Sequence, residues 1–233
     1  MKEMKSSVVE SLSENAGSFA ERYSHDLNFI QRYQIWTDKI NKYSGNVTTA
    51  FDMGCGSGIL TFFLASKGIR TIGFDGAPGM INLCNQTRME KKLDNPEFRL
   101  AMLPMADYSS LPQVDLIISS SVIEYVEDIG STVRMFHNLL QPNGKLIVSF
   151  PNKEAFYRKI EMTLYRLFKK PAYFGFVKNI WTKSEAEELF RGAGFRLLEH
   201  DYFSDRSAIS RVAGIAGAKR SGNLTLMIFE KVK

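Results

Sequence analysis

Phe51-Asp-Met-Gly-Cys-Gly-Ser-Gly58 is the stretch on which the reading of this chain turns. An apolar run, Thr48–Met53, leads into it, and the helix-forming run Ile59–Ser66 leads out. A glycine-rich loop between the end of a strand and the start of a helix allows positive φ and lets a ligand come close to the backbone. In open α/β sheets that is also where ligands bind. A dinucleotide site asks for G-x-G-x-x-G, with the third glycine giving close packing under a pyrophosphate. Here Ile59 takes the place of that third glycine, Gly58 comes one residue early, and Asp52 precedes the glycines. An acid there repels a pyrophosphate and suits a cofactor with a cationic amino-acid end.

Outward from the loop, strands and helices alternate. Arg70–Phe74 reads as a strand, Pro78–Lys91 as a helix with proline in its first turn, and Glu97–Leu100 as a short strand. Val114–Ser120 and Lys145–Phe150 are strongly apolar strands, separated by a helix over Ile129–Leu140 that stops at Pro142-Asn-Gly144. Strands apolar on both faces, joined by helices, imply a parallel sheet covered on both sides. Thr182-Lys-Ser-Glu185 is a capping box for a helix ending at Gly192 and Gly194, and Phe195–Phe203 and Asn223–Val232 close the chain as two strands. Between those strands lies a Gly/Ala/Arg/Lys-rich stretch, 206–222. Before the loop, Phe29, Tyr33, Trp36 and Ile40 recur at helical spacing over Leu27–Tyr43, whereas residues 1–26 are polar and hold at most a short helix.

The 233 residues, 44% hydrophobic and 24% charged, describe an ordinary globular protein. No apolar run approaches the roughly 20 residues of a membrane span, and the N-terminus lacks a signal-peptide core, so a cytoplasmic location is expected. Cys55 and Cys84 make no metal pattern, no pair among His25, His137 and His200 has ligand spacing, and no metal is expected. The net charge of +5 is concentrated: residues 153–183 carry eight Lys or Arg against Glu154 and Glu161, a local +6. The rest of the chain is therefore near neutral, unlike a general nucleic-acid surface.

The loop's D-x-G-x-G-x-G pattern resembles motif I of the class I S-adenosylmethionine-dependent methyltransferases, and Trp181-Thr with Leu189–Phe195 resembles the branch acting on quinones and other small metabolites. The resemblance covers residues 45–232 in order. Thr71-Ile-Gly-Phe-Asp75 looks like the second-strand motif, and Asp75 with Gly76 and Met80 is similar to D-x-S-x-x-M, with Ala77 in place of the serine. Leu100-Ala-Met-Leu-Pro104 sits where many members have an acid for the adenine amino group; this chain has Met102 there, and Asp107 is a displaced candidate. Val114–Val126 and Gln141–Val148 look like the fourth- and fifth-strand motifs, and Trp181-Thr with Leu189–Phe195 like the last helix and sixth strand.

The resemblance implies a doubly wound, Rossmann-like α/β fold with a seven-stranded sheet ordered 3-2-1-4-5-7-6, strand 7 antiparallel. It also implies an N-terminal helical cap over 1–44, a methyltransferase domain over 45–233, and an aromatic, basic insertion over 153–181 after strand 5. S-adenosyl-L-methionine is the implied cofactor. Asp52 would hold the loop near its amino group, Gly54, Cys55 and Gly56 would pack against it, and Asp75 and Gly76 would serve the ribose. Met80, Met102 and Leu103 would flank the adenine, and Ser119, Ser120 and Ser121 would run beneath the methionine moiety, with Tyr23 and Arg32 as clamps on the carboxylate. Glu124 and Tyr125 follow the fourth strand beside the expected methyl group; either orients or deprotonates an acceptor, or the two are a helix-start acid and a packing aromatic.

The expected reaction is methyl transfer to an oxygen or nitrogen of a small, aromatic or hydrophobic metabolite. The alternatives are a lipid-like acceptor met at a membrane surface, or a non-catalytic nucleotide- or partner-binding module. The insertion bears on this choice. At about 100° per residue, Phe156, Ile160, Leu164, Leu167 and Phe168 share one arc of a helix over 154–170, opposite Arg158, Lys159, Arg166, Lys169 and Lys170. Such a basic amphipathic helix caps the sheet with a solvated face, roofs an acceptor pocket as a lid, or makes peripheral contact with anionic lipid. Binding to nucleic acid is not expected, since no base-methylation motif follows the fourth strand.

Overall fold

A computed structural model describes residues 9–168, 172–203 and 222–232. The basic residues Lys169 and Lys170, and 206–221 of the Gly/Ala-rich stretch, lie outside the described residues. Seven strands, β1 (Thr49–Met53), β2 (Arg70–Asp75), β3 (Glu97–Leu100), β4 (Val114–Ser120), β5 (Leu140–Pro151), β6 (Phe195–Phe203) and β7 (Leu224–Lys231), form one sheet in the order β3-β2-β1-β4-β5-β7-β6. All neighbours pair in parallel except β7, which is antiparallel to both β5 and β6. This is the topology the resemblance implies. Among the described residues, helical backbone over 9–14 precedes the helices α1 (Ala16–His25), α2 (Leu27–Tyr43), α3 (Ile59–Ser66), α4 (Pro78–Glu90), α5 (Ile129–Leu139), α6 (Phe156–Phe168) and α7 (Lys183–Gly192).

The two-sided apolar pattern of the central strands is what sorts these helices. Ile117 of β4 and Leu146 and Val148 of β5 point to one side, where they meet Phe136 of α5 and Phe190 of α7. Leu116, Ile118 and Ile147 point to the other, against Trp36 and Ile40 of α2 and Leu64 of α3. Successive strand residues face opposite sides, so both helix layers are recruited by the same two strands. β5 begins five residues earlier than expected. Leu140 already pairs with Val114, and the irregular register between Val114 and Leu116 absorbs the Pro-Asn-Gly turn.

Two polar devices fix the outer elements. The Thr182/Glu185 capping box forms as read, with Glu185 N donating to Thr182 Oγ1 (3.2 Å) and Thr182 N to Glu185 Oε2 (2.8 Å). Glu199 on β6 accepts from Lys39 Nζ (2.7 Å), Lys42 Nζ (2.6 Å) and Tyr43 OH (2.6 Å), tying the end of α2 to the sheet. These donors hold its carboxyl down at about 2. Asp26 caps α2, accepting from Asn28 N (2.9 Å).

Candidate active site

The site is built at the carboxyl ends of β1, β2 and β4, from the loop outward. Gly54 N and Cys55 N both donate to Phe74 O (2.7 and 2.9 Å), which lashes the loop to the neighbouring strand. Gly54 has φ +83°, and a Cβ there would lie 2.1 Å from Val122 Cγ2, so a side chain is excluded by conformation and by space. At Gly76 the obstacle is Met102, whose Sδ would lie 2.4 Å from a Cβ.

A cavity of about 270 Å³ opens over this loop. Its floor and walls include Gly54, Gly56, Asp75, Met80, Ser120 and Ser121, with Arg32 reaching in from α2 and Tyr125 from the short 3-10 turn Ile123–Tyr125. Asp75 accepts from Gly56 N (2.9 Å) at Oδ2 and from Ala77 N (2.8 Å) at Oδ1. A carboxylate has about four acceptor positions, so each oxygen keeps one for a hydroxyl. Burial raises the carboxyl of Asp75 above its ordinary range, against the pull of these amides. Arg32 donates through Nη2 to Ser120 O (2.9 Å) and Oγ (2.7 Å), while its buried Nε has no partner among the described residues.

Other predicted residues stand beside the cavity without lining it. Asp52 is fully buried beneath α3, where its Oδ2 accepts from Thr61 Oγ1 (2.6 Å), and burial pushes its carboxyl up to about 7. Cys55 is buried below the loop, and Cys84 Sγ donates to Gly56 O (3.2 Å). Ser119 is buried and donates to Met53 O (2.9 Å). Tyr23 packs edge-on against Phe19 and Phe29, Leu103 lies against the core, and Met102 is exposed over Gly76. Asp107 turns away, accepting from Ser109 N (2.9 Å).

Glu124 and Tyr125 separate. Tyr125 lines the cavity, and burial with the Glu124 charge raises its hydroxyl. Glu124 is only 2% exposed and lies off the cavity wall; its Oε2 has no partner among the described residues, and burial lifts its carboxyl to about 7. Asn179 fixes the turn that carries them, donating through Nδ2 to Ile123 O (3.0 Å) and Val126 O (2.6 Å).

Sequence reading missed Ser11, Leu12 and Phe19, which close the cavity from the N-terminal segment, and Val122 and Phe176 on the far side. Gly79 N donates to Ser13 Oγ (2.6 Å), holding that segment at the start of α4. A small residue at Gly79, whose Cβ would lie 2.2 Å from Ser13 O, was the one signal available.

The insertion departs from expectation in its orientation. Arg158, assigned to a solvated basic face, is 5% exposed and pairs through Nη1 with Glu161 Oε2 (2.6 Å), itself 3% exposed. The apolar arc faces outward, and Leu167 and Phe168 are 67% and 65% exposed. The segment reaches the cavity through Phe176, beyond α6.

The residues present suit S-adenosylmethionine. Asp75 has acceptor capacity for a ribose diol, the guanidinium of Arg32 on the cavity wall suits a carboxylate, and Gly54 and Gly56 both hold the positive φ of a cradle loop. Sheet order and site together define a class I methyltransferase fold. Comparison with known proteins agrees: the family profile described as a methyltransferase domain matches residues 28–200, and the chain belongs to that family. Curated relatives include ubiquinone biosynthesis O-methyltransferases of Azorhizobium caulinodans (30% identical over 64% of this chain and 58% of that protein). Another, from Pseudomonas paraeruginosa, is 27% identical over 55% and 53%. The chain thus spans little more than half the length of these relatives. Similar folds include magnesium protoporphyrin IX methyltransferase of Synechocystis with S-adenosylhomocysteine bound (TM-score 0.67, 17% identity, covering 88% of this chain and 84% of that one). An N-methyltransferase of Bradyrhizobium japonicum, also with S-adenosylhomocysteine, has TM-score 0.68 at 17% identity, covering 96% and 98%.

Proposed function

We propose that this chain transfers a methyl group from S-adenosylmethionine to an oxygen or nitrogen of a small, hydrophobic or aromatic acceptor. The observation that carries the reading is a single cavity lined by both the half-satisfied Asp75 carboxylate and the Arg32 side chain. When bound, the cofactor supplies an electrophilic methyl on a sulfonium, so holding the acceptor in line provides most of the acceleration. Asp75 accepts the ribose hydroxyls, Arg32 holds the carboxylate, and Met80 supplies an apolar wall for the adenine. Phe176 and Val122 provide the apolar side of the acceptor space, and Tyr125 orients the acceptor through its hydroxyl. Glu124, buried off the cavity wall with a value near 7, acts on the acceptor only through the charge it sets beside Tyr125.

Calorimetric titration with S-adenosylmethionine and S-adenosylhomocysteine is the test. Saturable binding is expected, weakened at least about 100-fold by Asp75→Ala, which removes two hydrogen bonds to a charged group. No binding at millimolar cofactor, or wild-type binding by the variant, would refute the assignment. A second reading, a lipid-like acceptor met at a membrane surface, is favoured by the outward apolar face of α6.

A further inference from the structure

We infer that α6 is a membrane-docking helix that lies flat on an anionic lipid surface. The inference rests on that second reading and supplies its partner. In most amphipathic helices of globular proteins the apolar face turns inward. In α6 it does not. Arg158, Glu161 and Tyr165, at spacings of three and four, form the inward face. Arg158 and Glu161 pair there through Nη1 and Oε2 (2.6 Å), and Tyr165 packs on Phe174 with ring centroids 5.3 Å apart. Phe156, Ile160, Leu164, Leu167 and Phe168 form a continuous outward stripe over three turns, each of them exposed. A stripe of this length is more than the scattered apolar residues an ordinary surface carries.

Charge decides what covers it. Lys159 and Arg166 lie about 100–120° around the helix from the centre of the stripe, on one flank. Both are exposed and neither has an ion-pair partner among the described residues. Lys178 is exposed nearby, and Lys169 and Lys170 follow directly in sequence. Lys153 and Lys183, by contrast, are neutralised by Glu185 and Glu187 of α7. A second copy docked by a two-fold axis would set this basic flank against itself. The chain's own segment 204–221 is also basic, with Arg206, Arg211, Lys219 and Arg220 against Asp205. An apolar stripe with a one-signed basic flank fits anionic headgroups with acyl chains beneath them. The inward face of α6 meets the short turn Ala172–Phe176 through Tyr165 and Phe174, and that turn carries Phe176 on the cavity wall.

The test is co-sedimentation of the full chain with vesicles of phosphatidylcholine alone or mixed with phosphatidylglycerol, at low and high salt. Binding is expected only to the mixed vesicles and is weakened by salt. The double variant Leu167→Ser/Phe168→Ser should bind at least about tenfold more weakly, from the lost apolar insertion. Lys159→Glu/Arg166→Glu should bind at least about tenfold more weakly, at about fivefold per charge, and respond less to salt. Protein that stays in the supernatant with mixed vesicles would overturn the inference, as would variants that sediment like wild type. So would a concentration-dependent dimer, or single-stranded RNA binding, that these variants abolish instead. S-adenosylhomocysteine titration of the same variants should be unchanged from wild type. Vesicle binding without any cofactor binding would sink the methyltransferase reading and leave the docking surface standing.

Discussion

The most demanding position in the molecule is Gly54, where backbone conformation and a neighbouring side chain reject the same substitution for separate reasons. Its φ of +83° costs an L-residue about 1–2 kcal/mol, and Val122 Cγ2 occupies the space a Cβ would need. Gly54→Ala should therefore destabilise the fold by roughly 2–4 kcal/mol, taking the strain and the overlap together. Adding Val122→Ala should recover only the part due to overlap. Thermal unfolding of the two single variants and the double variant checks this, and strict additivity would mean that the two residues do not compete for space. Asp52 makes a different point at this scale. Its place before the glycines was legible, but its partner Thr61, nine residues on and under α3, was not, because a carboxylate facing a ligand and one facing a helix hydroxyl look alike in sequence.

Among the elements, what could be read in advance and what could not divide along physical lines. β4 and β5 were legible because burial on both faces leaves an unbroken apolar run, and α7 because its capping box is a local signal. α1 was not, since its Phe19 and Tyr23 acquire meaning only by packing edge-on with each other and with Phe29 of α2. The orientation of α6 was misread because periodicity locates an apolar face without saying which way it turns, and the buried Arg158–Glu161 ion pair let the charged side turn in. The cavity's Ser11, Leu12 and Phe19 were missed for the same reason, being far in sequence from every motif. Among the described residues, the side-chain clamp on the 3-10 turn carrying Glu124 and Tyr125 is Asn179, which meets two carbonyls. Asn179→Ala should lower stability by about 1–3 kcal/mol. It should also raise the amide exchange of Ile123–Val126 well above that of β4; equal protection of the turn in the variant would show that the clamp is redundant.

At the scale of the whole molecule, carboxyls of opposite shift, the raised ones buried and Glu199 part-exposed, set the pH range of stability. Asp52 and Glu124 are both raised to about 7 by burial, and Asp75 is raised in the same direction. In the unfolded chain these groups titrate near their ordinary values of 3.8 for Asp and 4.5 for Glu. Between there and about pH 7 the native state thus holds protons that the unfolded state has released, and stability falls as pH rises through that window. Glu199 works the other way. Held at about 2 by Lys39, Lys42 and Tyr43, it contributes stability that is present above its unfolded value of 4.5 and lost as pH falls toward 2. The two limbs meet, so the thermal midpoint should be highest near pH 4.5–5 and decline toward pH 8, each kcal/mol being worth about 2–4 °C in a chain of this size. Asp52→Asn keeps an oxygen for Thr61 Oγ1, and Glu124→Gln keeps the shape of the buried side chain, so the double variant should flatten the limb above pH 5 even if its midpoint is lower overall. Glu199→Gln should flatten only the limb below pH 4.5. A midpoint that rises from pH 5 to 8, or a double variant with the wild-type slope, would mean that neither acid carries its proton in the folded state. Glu124 would then stand as a fixed negative charge beside Tyr125 across that whole range.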